Sequence, residues 1–144
     1  MRKFIRKTVQ QLIKKYNTKN PYELADYLGV EIIERPLGNK LGAYMYIKRT
    51  KLILLNSEIS DYLKKIVLCH ELGHAVLHKN QECYFMKNNT FIVDSKFEYE
   101  ANYFAANLLI SDDLISDYKG YTLEQIANYE CVPIDLIKLK FNYK

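Results

Sequence analysis

Residues 60–79 read Ser60-Asp61-Tyr62-Leu63-Lys64-Lys65-Ile66-Val67-Leu68-Cys69-His70-Glu71-Leu72-Gly73-His74-Ala75-Val76-Leu77-His78-Lys79. Ser60 is a helix cap in type, and Asp61 sets a negative charge in the first turn, where the helix dipole favours it. Leu63, Ile66, Val67, His70, His74 and Leu77 then fall along one stripe at helical spacing. Leu68, Leu72, Ala75 and Val76 add a second apolar flank, so the spacing predicts a central helix buried on most sides. A helix of that kind needs other layers around it.

Those layers are legible on both sides. Ile5, Val9, Leu12, Ile13 and Tyr16 recur with the period of an amphipathic helix. Asn20-Pro21 opens a short second helix, which Gly29 ends. Val30–Ile33, Ala43–Ile47 and Leu52–Leu55 read as three strands, broken by Gly38, Asn39 and Gly42 and by the hairpin connection Lys48-Arg49-Thr50-Lys51. Residues 80–94 lack a period and carry a turn signal at Lys87-Asn88-Asn89-Thr90, so they read as a loop or small hairpin. A helix follows from about Ser95 to Ile110, then two shorter ones near Thr122–Tyr129 and Pro133–Phe141. The expected fold class is α+β: a small three-stranded antiparallel sheet packed against a mainly helical single domain.

Composition supports one ordinary domain: 144 residues, 49% hydrophobic and 26% charged. The longest apolar run, Ala43 to Ile47, is far short of the ~20 residues a membrane span needs, and no apolar segment follows the basic N-terminus as a secretory signal would. Three scattered cysteines build no disulfide framework, which points to a reducing cytoplasm. The net charge of +4 is local. Residues 1–19 hold Arg2, Lys3, Arg6, Lys7, Lys14, Lys15 and Lys19 and no acid; removing those seven from 21 basic residues leaves 14 against 17 acidic. That is one solvated helix face rather than a nucleic-acid footprint.

The chemistry sits in His70-Glu71-Leu72-Gly73-His74, an H-E-x-x-H pattern. Imidazoles at i and i+4 differ by ~40° in azimuth and ~6 Å in rise, so both reach one ion, and Zn2+ favours imidazole nitrogen. Glu71 projects beside them, as a general base for water must. An unpaired carboxylate on a buried helix would otherwise be costly to desolvate. His78 lies ~12 Å along the helix from His70, too far for three side chains of one straight helix to share an ion, and reads as a helix-end residue suited to the dipole. Cys69 points ~100° from His70 and has no cysteine partner at zinc-finger spacing.

The third ligand is sought on the next helix. Its apolar stripe is Phe97, Ala101, Phe104, Ala105 and Leu108; Glu98 lies ~60° from the centre of that stripe and Glu100 ~100° away on the other flank. Glu98 shares a line with Asn102, Ala105 and Leu109, small or apolar residues that would face Gly73 and let the helices approach. Glu98 is the geometric choice, with Asn102 hydrogen-bonding a ligand histidine. Glu100 comes next, and a rival reading makes Ser95-Lys96-Phe97-Glu98 a capping box, with Glu98 bonded to the backbone of Ser95.

These two blocks, His70-Glu71-Leu72-Gly73-His74-Ala75-Val76-Leu77-His78 and Glu98-Tyr99-Glu100-Ala101-Asn102-Tyr103-Phe104-Ala105-Ala106-Asn107-Leu108-Leu109-Ile110, resemble the ImmA/IrrE metallopeptidases, with the pattern HELGHxxLH followed by ExEANxFAxxLLMP. Ser111 departs from the usual Pro, at the helix end and away from the chemistry. The resemblance implies a gluzincin-like site in which the carboxylate four residues before Asn binds zinc, which matches Glu98 before Asn102. It spans residues 20–118 as a family core, between the basic helix of residues 1–19 and a C-terminal helix pair at 119–144. It implies a zinc endopeptidase that cuts a phage-type helix-turn-helix repressor encoded in a mobile element.

Two other classes stay open. One is a non-proteolytic zinc-dependent regulatory or DNA-binding module, since Thr122–Lys140 looks like a helix-turn-helix fragment, although only Lys138 and Lys140 would serve its recognition helix. The other is a toxin-like partner of an antitoxin. For a peptidase, Leu52–Leu55 is a candidate edge strand for substrate addition, with an interior strand as the alternative. Oxyanion help would fall to a Tyr or His that 13 tyrosines leave unassigned.

Overall fold

The most apolar strand segment, Leu52–Leu55, takes the middle of the sheet. The computed structural model describes residues 1–86 and 95–143. It orders the chain as α1 (Arg2–Tyr16), α2 (Pro21–Tyr27), β1 (Val30–Arg35), β2 (Lys40–Ile47), β3 (Thr50–Asn56), α3 (Asp61–Leu77), β4 (Cys83–Met86), α4 (Lys96–Leu109), α5 (Leu114–Asp117), α6 (Leu123–Glu130) and α7 (Ile134–Phe141). The fold is α+β, a single domain with seven helices and a small mixed sheet among the described residues. The turn signal at Lys87–Thr90 lies outside the described residues.

The sheet differs from the expectation in two ways. It has four strands in the order β1-β3-β2-β4, because Cys83–Met86, in a stretch read as loop or hairpin, pairs antiparallel with β2. It is mixed, because β1 runs parallel to β3, with Val30 opposite Lys51 and Arg35 opposite Asn56. Of the two readings of Leu52–Leu55 the interior one holds: β3 lies between β1 and β2 and is not an edge to which a substrate can add. The reason is burial: a strand apolar at successive positions needs cover on both faces and neighbours on both sides. Asn56 holds the crossing that makes room for it. Its buried amide donates to the carbonyls of Lys40 (2.8 Å), the first residue of β2, and of Gly38 (3.3 Å), in the connection between β1 and β2. The β2–β3 hairpin closes through only Lys48 and Arg49, both at positive φ (49° and 65°), with Ile47 opposite Thr50.

The helices α2, α3, α4 and α6 start where capping side chains stand. The Asn20 side chain accepts from the N–H of Tyr22 (2.9 Å) and Pro21 takes the first helical position; Ser60 accepts from Leu63 N–H (3.2 Å). Thr122 and Gln125 form a reciprocal capping box. The short α5 was not anticipated. α3 lies across β2 and β3, with α1, α2 and α4 closing the same core around Ile5, Leu24, Tyr44, Ile53, Leu55, Leu68, Leu72 and Phe104. A second cluster joins Ile66, Ala106 and Ile110 to Ile126, Leu136 and Ile137, seating α6 and α7 on α4.

Two glycines set the distances around α3. A Cβ on Gly42 would come within 2.8 Å of Val67 Cγ1 and 3.0 Å of the Leu54 carbonyl oxygen, so β2 approaches α3 at closer range than a side chain allows. A Cβ on Gly73 would sit 2.9 Å from Ala101 Cα and 3.1 Å from Phe104 Cβ. The expected close approach of α3 and α4 exists, but it is made by Ala101 and Phe104 rather than along the Glu98–Asn102–Ala105 line.

Candidate metal centre

The seam between α3 and α4 brings three sequence-predicted side chains together. His70 Nε2 and His74 Nε2 are 3.2 Å apart. The Glu98 carboxylate lies against both, Oε2 at 2.9 Å from His70 Nε2 and Oε1 at 3.1 Å from His74 Nε2. One donor atom from each of the three lies within 4.8 Å of the others. Two nitrogens on one tetrahedral zinc at ~2.0–2.1 Å would stand about 3.3 Å apart, so the donor set fits a zinc-sized ion.

Ser95 explains how Glu98 escapes the rival reading. The Ser95 hydroxyl oxygen does cap α4, but it accepts from the Glu98 backbone N–H (3.1 Å), leaving the Glu98 carboxylate to turn toward the imidazoles. Asn102, one turn on, meets the far side of His70: its Oδ1 is 2.6 Å from His70 Nδ1. With Nδ1 donating to that amide oxygen, the Nε2 lone pair of His70 is directed at Glu98 and the space beside it.

Glu71 is fully buried, and neither of its carboxylate oxygens has a hydrogen-bond partner. Burial, with the nearby charge of Glu98 next, raises its carboxyl well above the ordinary value. Such an orphan costs about 1–3 kcal/mol for each unpaired group, a penalty that a catalytic group repays in activity rather than in stability. Burial works to raise Glu98 as well, but the hydrogen bonds and charges of His70 and His74 outweigh it and hold that carboxyl far below the usual range. Burial lowers His74, against the pull of Glu98. A cation among these groups would satisfy the Nε2 lone pairs and, by its charge, favour the ionised form of Glu71.

Several neighbours had no sequence signal. Phe85 on β4 packs its ring 4.5 Å from that of His70. Cys83, on the same strand, sets Sγ 3.5 Å from His74 Nδ1, and burial pushes its thiol up to about 12. Both depended on recognising β4. Phe97, placed on the buried stripe by periodicity, is instead 43% exposed, with its ring edge against His78 at 4.7 Å. His78 does end α3 as read, but its ring turns inward, to His74 Nδ1 (3.0 Å) and Glu100 Oε1 (3.0 Å). Glu100 therefore joins the cluster from the other flank of α4 without reaching the Nε2 pair. In the helix-turn-helix-like pair the Lys140 side chain is 5% exposed, donating to the Ile110 carbonyl and pairing with Asp112 Oδ1 at 2.9 Å. No helix among the described residues is long and apolar enough to cross a membrane.

Comparison with known proteins agrees with this geometry. The chain is 45% identical over 139 residues to uncharacterized immunity region protein 2 of Bacillus phage phi105, covering 94% of this chain and 88% of that protein. It is 32% identical over 135 residues to metallopeptidase ImmA of Bacillus subtilis strain 168, covering 91% and 80% respectively. The model of the M78 peptidase family, the IrrE N-terminal-like domain, matches residues 25–141. With its paired histidines, adjoining glutamate and near-complete alignment, the chain belongs to the M78 family of metallopeptidases.

Proposed function

We propose that the protein is a zinc-dependent endopeptidase acting in the cytoplasm on a helix-turn-helix repressor of the element that encodes it. The observation that carries this reading is the convergence of His70, His74 and Glu98 beside a buried, unpartnered Glu71. In it, His70, His74 and Glu98 hold the ion, Asn102 orients His70, and Glu71 is the general base. A zinc ion there would polarise the scissile carbonyl and acidify the attacking water. Glu71 takes a proton from that water and returns it to the leaving amine, and its dry surroundings keep the transfer from bulk solvent. The immunity-region relative and the peptidase relative support the choice of a regulatory protein as substrate. Three free cysteines fit a reducing compartment.

An extended substrate needs an edge strand, and among the described residues β4 is the edge beside the site, with Cys83 next to His74. Residues 20–118 form the catalytic core in this reading, with the basic helix and the C-terminal pair as flanking supports. The committed state of Lys140 weighs against the DNA-binding alternative. The test is to incubate the chain with the helix-turn-helix repressor encoded beside it and map the fragments by mass spectrometry. One discrete cut is expected, lost with a chelator, restored by zinc, and absent in Glu71→Gln that still holds zinc. An intact repressor with zinc-loaded wild type would favour the non-proteolytic regulatory reading.

A further inference from the structure

The two imidazoles of the site are backed differently. His70 Nδ1 meets a neutral amide, Asn102 Oδ1, at 2.6 Å. His74 Nδ1 meets a second imidazole, His78 Nδ1, at 3.0 Å, and His78 Nε2 in turn meets Glu100 Oε1 at 3.0 Å. Both outer members are withdrawn from water, each side chain only 4% exposed. Glu100 Oε2 is buried with no hydrogen-bond partner, so this carboxylate is held in place at a cost.

Proton counting leaves one arrangement. If Nε2 of neutral His74 faces an ion, its single proton is on Nδ1. Two Nδ1 atoms in contact can share only one proton, so His74 donates and His78 accepts. The proton of neutral His78 is then on Nε2, where Glu100 Oε1 receives it. Cys83 Sγ, also 3.5 Å from His74 Nδ1, fits the same pattern, since its thiol donates to the Gln81 carbonyl at 3.6 Å and leaves sulfur as a weak acceptor. The chain of bonds runs from the metal-facing ring to the buried side chain of Glu100.

We propose that His78 and Glu100 are positioning residues which, through this relay, fix the tautomer and ring orientation of His74 and strengthen it as a metal ligand. Neither touches the ion or the substrate. The inference rests on reading His70, His74 and Glu98 as a metal centre. The simpler role for the same contacts is to pin the end of α3 to α4, and that role predicts a loss of folding stability without a loss of metal affinity.

The test measures Zn2+ affinity of the full chain by competition with a chromophoric chelator, alongside thermal unfolding of the metal-free form. Glu100→Gln keeps the shape and removes the charge; His78→Leu breaks both links; His78→Gln restores an acceptor for His74 alone. Glu100→Gln and His78→Leu are expected to bind Zn2+ roughly 10- to 100-fold more weakly, with His78→Gln recovering part of the loss. Folded variants with affinity within about twofold of wild type would overturn the relay, as would His78→Gln binding no better than His78→Leu. Should the His78 variants not fold, long-range proton–nitrogen-15 spectra of zinc-loaded wild type decide. His78 protonated at Nε2 supports the relay, and protonation at Nδ1 overturns it. Wild type that binds no Zn2+ would instead sink the metal-centre reading, a distinct outcome.

Discussion

α4 has two seams, and they are built on opposite principles. Toward α3 it presents Glu98, Glu100 and Asn102 to three histidines around the Gly73–Ala101 approach, with unpaired oxygens on Glu71 and Glu100. Toward α7 it presents Ala106, with Ile110 just past its end, to Leu136 and Ile137, and the cations at that seam are paired, Lys140 with a carbonyl and a carboxylate and Arg2 with the Leu139 carbonyl and the Tyr99 hydroxyl. The second seam is what a fold optimises when only stability is at stake. The first keeps buried charge without full hydrogen bonding, and such sites are where function is sought.

The comparison breaks most sharply at Glu71. Glu71→Gln should lower peptidase turnover by about 10²- to 10⁴-fold while leaving zinc content near one per chain, read by repressor cleavage and elemental analysis. Comparable turnover would place the base elsewhere. On the other seam, Leu136→Ala should cost about 2–5 kcal/mol of stability by denaturant unfolding, because Leu136 is fully buried, and should leave zinc affinity unchanged. A chelator should lower the unfolding temperature of wild type and of Leu136→Ala alike, since an ion that binds only the folded chain stabilises both.

Gly73→Ala sharpens the contrast, because its Cβ would press on Ala101 backbone atoms that cannot swing away. It should cost about 1–3 kcal/mol and also weaken zinc binding, as the two ligand-bearing helices are forced apart. An effect on stability alone would mean that the seam tolerates a shift without moving its ligands.

The smallest effect concerns pH in the metal-free protein. Glu71 has its folded pKa raised by burial and by Glu98, so above its ordinary value of 4.5 the folded chain keeps a proton that the unfolded chain has lost. Its contribution to stability is therefore complete below that pH and falls as pH rises toward the folded value, by at most about 1.4 kcal/mol per pH unit. Glu71→Gln lacks this term. Its stability relative to wild type should grow with pH above 4.5, and a flat difference across that range would mean that Glu71 is not buried as a neutral acid.

Periodicity and spacing carried much of this molecule. The buried α3, the i, i+4 histidines, Glu98 on one flank of α4 and Asn102 a turn later were legible because each depends on local helical geometry, in which 100° per residue decides what shares a face. Even the rival role of Ser95 was half visible, since its hydroxyl does cap the helix.

What only the tertiary structure decided were relations between segments far apart in the chain. The strand order, the parallel β1–β3 pair and the interior place of Leu52–Leu55 follow from which faces had to be buried, and no local period encodes that. β4 is too short to announce itself, and it brought Cys83 and Phe85 to the histidines. His78 read as a helix end and Glu100 as the second choice of third ligand until packing set them 3.0 Å apart. A hydrogen bond between helices depends on where two backbones cross, and that crossing is fixed by volume: a glycine opposite an alanine.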